Sequence, residues 1–131
     1  MKKIFKLWVP VLSWLGLIYF FSSIPGLNSG LECDTILRKI AHMMEYGILT
    51  FLLYRAFRDT WKLDTLSLLF YPAVISFAYA VSDEIHQLFV PNRHGAVVDV
   101  WIDTVGIIFF YLIRANKEKI FKYFSLKSLK C

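Results

Sequence analysis

Four apolar runs, at about Phe5–Ser23, Ile36–Tyr54, Leu66–Val90 and Val97–Ile113, occupy most of this 131-residue chain. Each is close to the roughly 20 residues that an α-helix needs to cross a hydrocarbon core of about 30 Å. The short connections between them leave no length for a separate soluble domain. A soluble helical bundle would need a polar stripe on every helix, and Val9–Phe21 has only Ser13 and Tyr19 as polar groups. The composition points the same way: 57% of residues are hydrophobic, 18% are aromatic, and the mean hydropathy is +0.53, well away from an ordinary soluble domain. The expected fold is an all-α integral membrane protein, a four-transmembrane-helix bundle.

Basic residues set the expected orientation. Lys2, Lys3 and Lys6 precede the first run, Arg55, Arg58 and Lys62 lie between the second and third, and Arg114, Lys117, Lys119, Lys122, Lys127 and Lys130 follow the fourth. Only Arg38, Lys39 and Arg93 belong to the other side. Positive charge stays on the cytoplasmic face, so both termini are expected in the cytoplasm and the connections at 24–35 and 91–96 outside. The net charge of +5 then reflects topology and attraction to anionic lipid, with no nucleic-acid partner implied.

The long first run lacks an A-x-A-like cleavage site and is expected to remain as a span. With Cys33 outside and Cys131 inside, the two cysteines are not expected to pair within the chain, and no C-x-x-C metal pattern is present. Ser22–Gly30 and Pro91–Gly95 are dense in turn-forming residues, and Pro72 near the start of the third run is tolerated or produces a kink. The chain divides into a membrane domain, residues 1–113, and a basic amphipathic cytoplasmic tail, residues 114–131, which is expected to lie on the lipid interface.

Seven ionisable residues interrupt these runs or lie at their edges: His42, Glu45, Asp83, Glu84, His86, Asp99 and Asp103. Charge in such a stretch is costly and marks a functional site by default. At about 1.5 Å of rise per residue, His42 and Glu45 lie roughly 9 and 13 Å below the outer end of the second run. Glu84 and Gln87 are within about 10 Å of the outer end of the third, and Asp99 and Asp103 roughly 3 and 9 Å into the fourth. All fall in one outer-leaflet layer, where Ser22 and Ser23 also lie. Residues three or four apart share a helix face, so Lys39, His42, Glu45 and Tyr46 form one stripe and Asp99 and Asp103 another. Asp83, Glu84 and Gln87 point inward on the third helix, with His86 at its margin.

Three segments in order carry a family resemblance: Lys39-Ile40-Ala41-His42-Met43-Met44-Glu45-Tyr46, then Ser82-Asp83-Glu84-Ile85-His86-Gln87 through Pro91-Asn92-Arg93, then Asp99-Val100-Trp101-Ile102-Asp103-Thr104-Val105-Gly106. Together with the Ser22–Gly26 turn they resemble the VanZ-like family over about residues 20–110. The resemblance implies a multi-pass protein of the bacterial cytoplasmic (inner) membrane, in a family whose namesake confers low-level resistance to the lipid-bearing glycopeptide teicoplanin. The chain departs from that pattern at Asp103, where Asn is usual, and at Asn92, where Gly is common.

A purely structural reading makes Lys39 with Glu45, and Arg93 with Asp99, ion pairs between short helices. Glue alone, however, would be cheaper as Ser, Thr or Gly at helix contacts. Three functional classes remain. In an outer-leaflet enzyme, His42, Glu45, Asp83, Glu84 and Asp99 are the candidate catalytic acids and bases. Lys39, Tyr46, Gln87, Arg93 and Asp103 would contact substrate, with Arg93 holding an anionic group such as a lipid or polyprenyl phosphate. A metal variant uses His42, Glu45, Asp83, Glu84 and Asp99 as ligands, but the pattern fixes no particular metal or cofactor. The second class is a small carrier. The third is a binding or modulatory protein. The expected partners are membrane lipids or a lipid-linked envelope precursor, with homo-oligomerisation left open.

Overall fold

The computed structural model describes residues 2–25, 34–93 and 95–128, with side chains described to Lys117 except at 34 and 35. The readings made for Cys33, Cys131, His94 and residues 26–30 lie outside the described residues, as do those for the tail side chains beyond Lys117. Among the described residues the regular structure is four helices: α1 (Lys2–Ser22), α2 (Asp34–Thr60), α3 (Thr65–Gln87) and α4 (Val97–Ser128). Two of them, α1 and α3, are long and apolar enough to cross a membrane. Charged residues interrupt α2 and α4. The second helix extends past its apolar run to Thr60, and α4 runs unbroken through Ile113 to Ser128.

Local chemistry sets several helix boundaries. Asp64 is extended (φ −66°, ψ 162°), and its carboxylate accepts the otherwise unpaired amides of Leu66 and Ser67, which starts α3. At the other end of α3 the chain turns through Leu88–Asn92. Asn92 has φ 59° there, the left-handed region that Gly occupies freely and Asn tolerates. Pro10 and Pro72 both lie inside helices. Just before Pro72, the carbonyl of Leu69 accepts the Tyr111 hydroxyl of α4 at 2.7 Å.

Leu7, Val11 and Ile18 of α1 meet Tyr46, Leu49, Leu53 and Ala56 of α2, with Ala80 of α3 and Ile107 of α4 completing the core. These spacings of three, four and seven put each helix's contribution on one face. Polarity is distributed opposite to that of a soluble bundle. Thr50, Ser76, Asp83, Glu84, Gln87 and Asp103 are buried, while Phe5, Leu12, Phe20, Phe70, Trp101 and Phe109 face outward. An apolar exterior with the polar groups held inside suits a hydrocarbon solvent.

The α2–α4 crossing is the tightest contact. A β-carbon on Gly106 would collide with the carbonyl of Met43, and one on Gly47 would lie 3.2 Å from the carbonyl oxygen of Gly106. Small residues here let the two backbones approach. Asp103, one turn before Gly106, is thereby brought against His42, next to Met43. Deeper in the bundle, Thr50 donates to the Tyr46 carbonyl at 2.7 Å and its oxygen can accept from the Ser76 hydroxyl 3.0 Å away, a buried α2–α3 link.

Candidate functional site

The polar residues converge at the end of the bundle where α1 stops, α2 begins, α3 stops and α4 begins. A small cleft of about 70 Å³ opens there, lined by His42, Glu45, Asp83, Gln87, Arg93 and Arg38, with Ile18 and Phe21 of α1 forming its apolar side next to Ser22. On its floor, Gln87 donates to Asp83 at 3.1 Å across one helical turn. Glu45 shows its carboxylate to the cleft while its backbone carbonyl accepts the Trp14 indole at 3.0 Å, which fixes α2 against α1.

A second group lies behind the cleft and shares His42 with it. His42 Nδ1 is 3.4 Å from Asp103 Oδ1, and Asp103 is completely buried. Glu84 is 5% exposed, and its Oε2 accepts the Ala96 amide at 2.8 Å. The close packing of Gly95 on the Glu84 carbonyl brings Ala96 within reach and ties the start of α4 to α3. Ligand-type atoms of His42, Glu84 and Asp103 all lie within 4.8 Å of one another. Tyr46 is fully buried with no protein hydrogen-bond partner for its hydroxyl.

Arg93 has two roles. It lines the cleft, and it donates from Nη2 to the carbonyl of Phe21 at 2.8 Å and from Nε to that of Ile24 at 3.2 Å, satisfying carbonyls at the end of α1. Burial and the charge of Arg38 pull its guanidinium below the usual value, while Asp83, Glu45 and Glu84 oppose that shift. It remains charged. His86 turns to α1, with Nε2 3.0 Å from the Ser23 hydroxyl and its ring 4.6 Å from that of Tyr19.

Of the residues singled out from the sequence, His42, Glu45, Asp83, Gln87 and Arg93 line the cleft, and Glu84 and Asp103 form the adjoining group with His42. Asp99, half-buried in the first turn of α4, lies at the edge of this group, and Lys39 is exposed outside the cleft. Neither of the ion pairs weighed on sequence grounds, Lys39 with Glu45 or Arg93 with Asp99, forms between these described residues. The stripe on α2 is Arg38, Ala41, His42 and Glu45, which shares His42 and Glu45 with the stripe read from the sequence but has Arg38 and Ala41 in place of Lys39 and Tyr46. Arg38 and Ser22 were missed as lining residues. The i, i+4 spacing of Arg38 and His42 was the available signal for the first.

The fold and this site describe a small α-helical membrane protein whose polar groups gather at one end of the bundle. Residues 4–118 match the VanZ/LLP1 family, and the chain belongs to that family. It is 33% identical over 93 residues to a Bacillus subtilis (strain 168) protein named "Uncharacterized membrane protein YwnJ", a match covering 68% of this chain. The chain spans about three fifths of that relative, 59% of its length. No solved structure matches the chain with significance.

Proposed function

We propose that all four helices span the bacterial cytoplasmic membrane with both termini in the cytoplasm. The cleft then opens at the outer leaflet, where it binds or acts on a lipid-linked cell-envelope molecule, linking the protein to lipoglycopeptide (teicoplanin) resistance. The observation that carries this reading is the lining of the cleft. Arg38 and Arg93 stand with His42, Glu45 and Asp83 beside the apolar Ile18 and Phe21. A phosphate on a lipid chain offers the same combination of charge and grease. Guanidinium groups at the mouth would hold the anion, and the imidazole and carboxylates beneath are positioned to move protons in a water-poor site.

A structural reading has its own support, because several of these groups also tie the helices together. Glu84 holds the Ala96 amide and Arg93 holds the end of α1. The two readings separate on tolerance measured at unchanged protein level. In a susceptible host expressing the chain, His42→Ala, Glu45→Gln and Asp83→Asn are each expected to abolish teicoplanin tolerance at unchanged protein level. Full tolerance in all three would leave only the structural or modulatory role. A reporter fused to the C-terminus is expected to be active only in the cytoplasm, and activity outside would reverse the orientation of the cleft.

A further inference from the structure

The geometry points to a divalent transition-metal site formed by His42, Glu84 and Asp103, one ligand from each of α2, α3 and α4. This inference concerns the same end of the bundle as the proposed function, but it does not depend on the identity of any substrate. Both carboxylate oxygens of Asp103, Oε1 of Glu84 and Nδ1 of His42 are buried without a hydrogen-bond partner among the protein's groups, and one ligand-type atom from each of the three residues lies within 4.8 Å of the other two. Asp103 is wholly buried and Glu84 nearly so. Unpaired buried carboxylate oxygens are costly, and coordination of a cation is one of the few ways to satisfy them.

The spacing has a further meaning. His42 Nδ1 and Asp103 Oδ1 are 3.4 Å apart, long for a charge-assisted hydrogen bond of about 2.7–2.9 Å. Two ligands at about 2.0–2.1 Å from a tetrahedral ion stand roughly 3.4 Å apart. An imidazole with two carboxylates suits zinc or manganese, where magnesium and calcium prefer oxygen alone. Three protein ligands leave a coordination position open, and His42 also lines the cleft. Glu84 keeps Oε2 on the Ala96 amide, a bond that orients the carboxylate so that Oε1 remains for the ion.

The test uses full-length, tag-free protein in detergent, stripped with chelator and titrated with Zn²⁺ against a chromophoric competitor. The expected result is about one zinc per chain, with affinity falling more than about tenfold in Asp103→Asn and in Glu84→Gln and changing little in Asp64→Asn, at the opposite end of α3. Co²⁺ in place of zinc is expected to give wild-type protein a visible ligand-field band that Asp103→Asn lacks. Helix content by circular dichroism and monodisperse elution identify variants that have failed to fold, and the cobalt spectrum of the wild type stands independently of them. No stoichiometric zinc and no cobalt band in the wild type would overturn the site and leave His42–Asp103 as a proton-sharing pair. Equal zinc affinity in well-folded Asp103→Asn would overturn it as well. Loss of teicoplanin tolerance without metal binding would remove this inference and leave the proposed function standing.

Discussion

Gly106 of α4 lies so close to the carbonyl oxygen of Met43 on α2 that a β-carbon has no room between the helices. The obstacle is backbone, which yields little, so Gly106→Ala is expected to force the crossing apart and destabilise the protein by about 1–3 kcal/mol. Gly16 of α1 has open space around it, and Gly16→Ala should be neutral or mildly stabilising through helix propensity. Thermal unfolding of both variants in the same detergent checks the contrast. Equal midpoints would mean that the crossing is looser than the structure has it.

The Thr50–Ser76 hydrogen bond links α2 to α3 in the buried interior. Interhelical hydrogen bonds in membrane proteins couple by about 0.6 kcal/mol on average and by less than about 2 kcal/mol at most. A double-mutant cycle of Thr50→Val and Ser76→Ala, read by reversible unfolding, is expected to return a coupling in that range. Strict additivity would show that the two hydroxyls act separately.

Arg93 closes the end of α1 through the Phe21 and Ile24 carbonyls. Arg93→Ala should cost about 1–3 kcal/mol, as expected for hydrogen bonds from a charged donor, and speed amide exchange at residues 21–24. Arg93→Lys is expected to restore little, because a single ammonium lacks the planar fork that reaches two carbonyls at once. Full recovery by lysine would show that only the charge matters.

Asp64 caps α3, and the hydrogen bonds from Ser67, joined by that from Leu66, hold its carboxyl below the ordinary aspartate value. A carboxyl lowered on folding contributes stability that is present above its unfolded-state value and is lost as pH falls through the lower folded value. Amide protection at Leu66 and Ser67 should therefore decline on acidification below the usual aspartate range. Asp64→Asn keeps a side-chain acceptor but cannot titrate, and its protection should be flat over the same interval. An identical decline in both proteins would assign the acid sensitivity elsewhere.

The apolar runs and the period of the helix carry much of this molecule. Hydrophobic length marked four helices, and rise per residue put His42, Glu84 and Asp103 at similar depth on three of them, because both quantities are local and need no knowledge of a neighbour. The rotation of each helix about its axis is different. On α2 the stripe facing the cleft begins at Arg38 and leaves Lys39 outside, since Lys39 and Arg38 differ by about 100° and both read equally well as the start of a polar face. Asp99 and Asp103 share a face by spacing, yet only Asp103 is fully buried against His42. That pairing depends on where α2 and α4 cross, which is decided by Gly106 packing on the Met43 backbone and Gly47 packing on that of Gly106. Arg93, weighed from the sequence as an anion holder and as a partner for Asp99, lines the cleft and also serves carbonyls at the end of α1 that come near it only when the bundle closes. The sequence by itself determined the helices, their membrane-like exterior and the inventory of charge. Only the tertiary structure decided which charges meet, because helix rotation and crossing are settled by side chains packing between segments far apart in the chain.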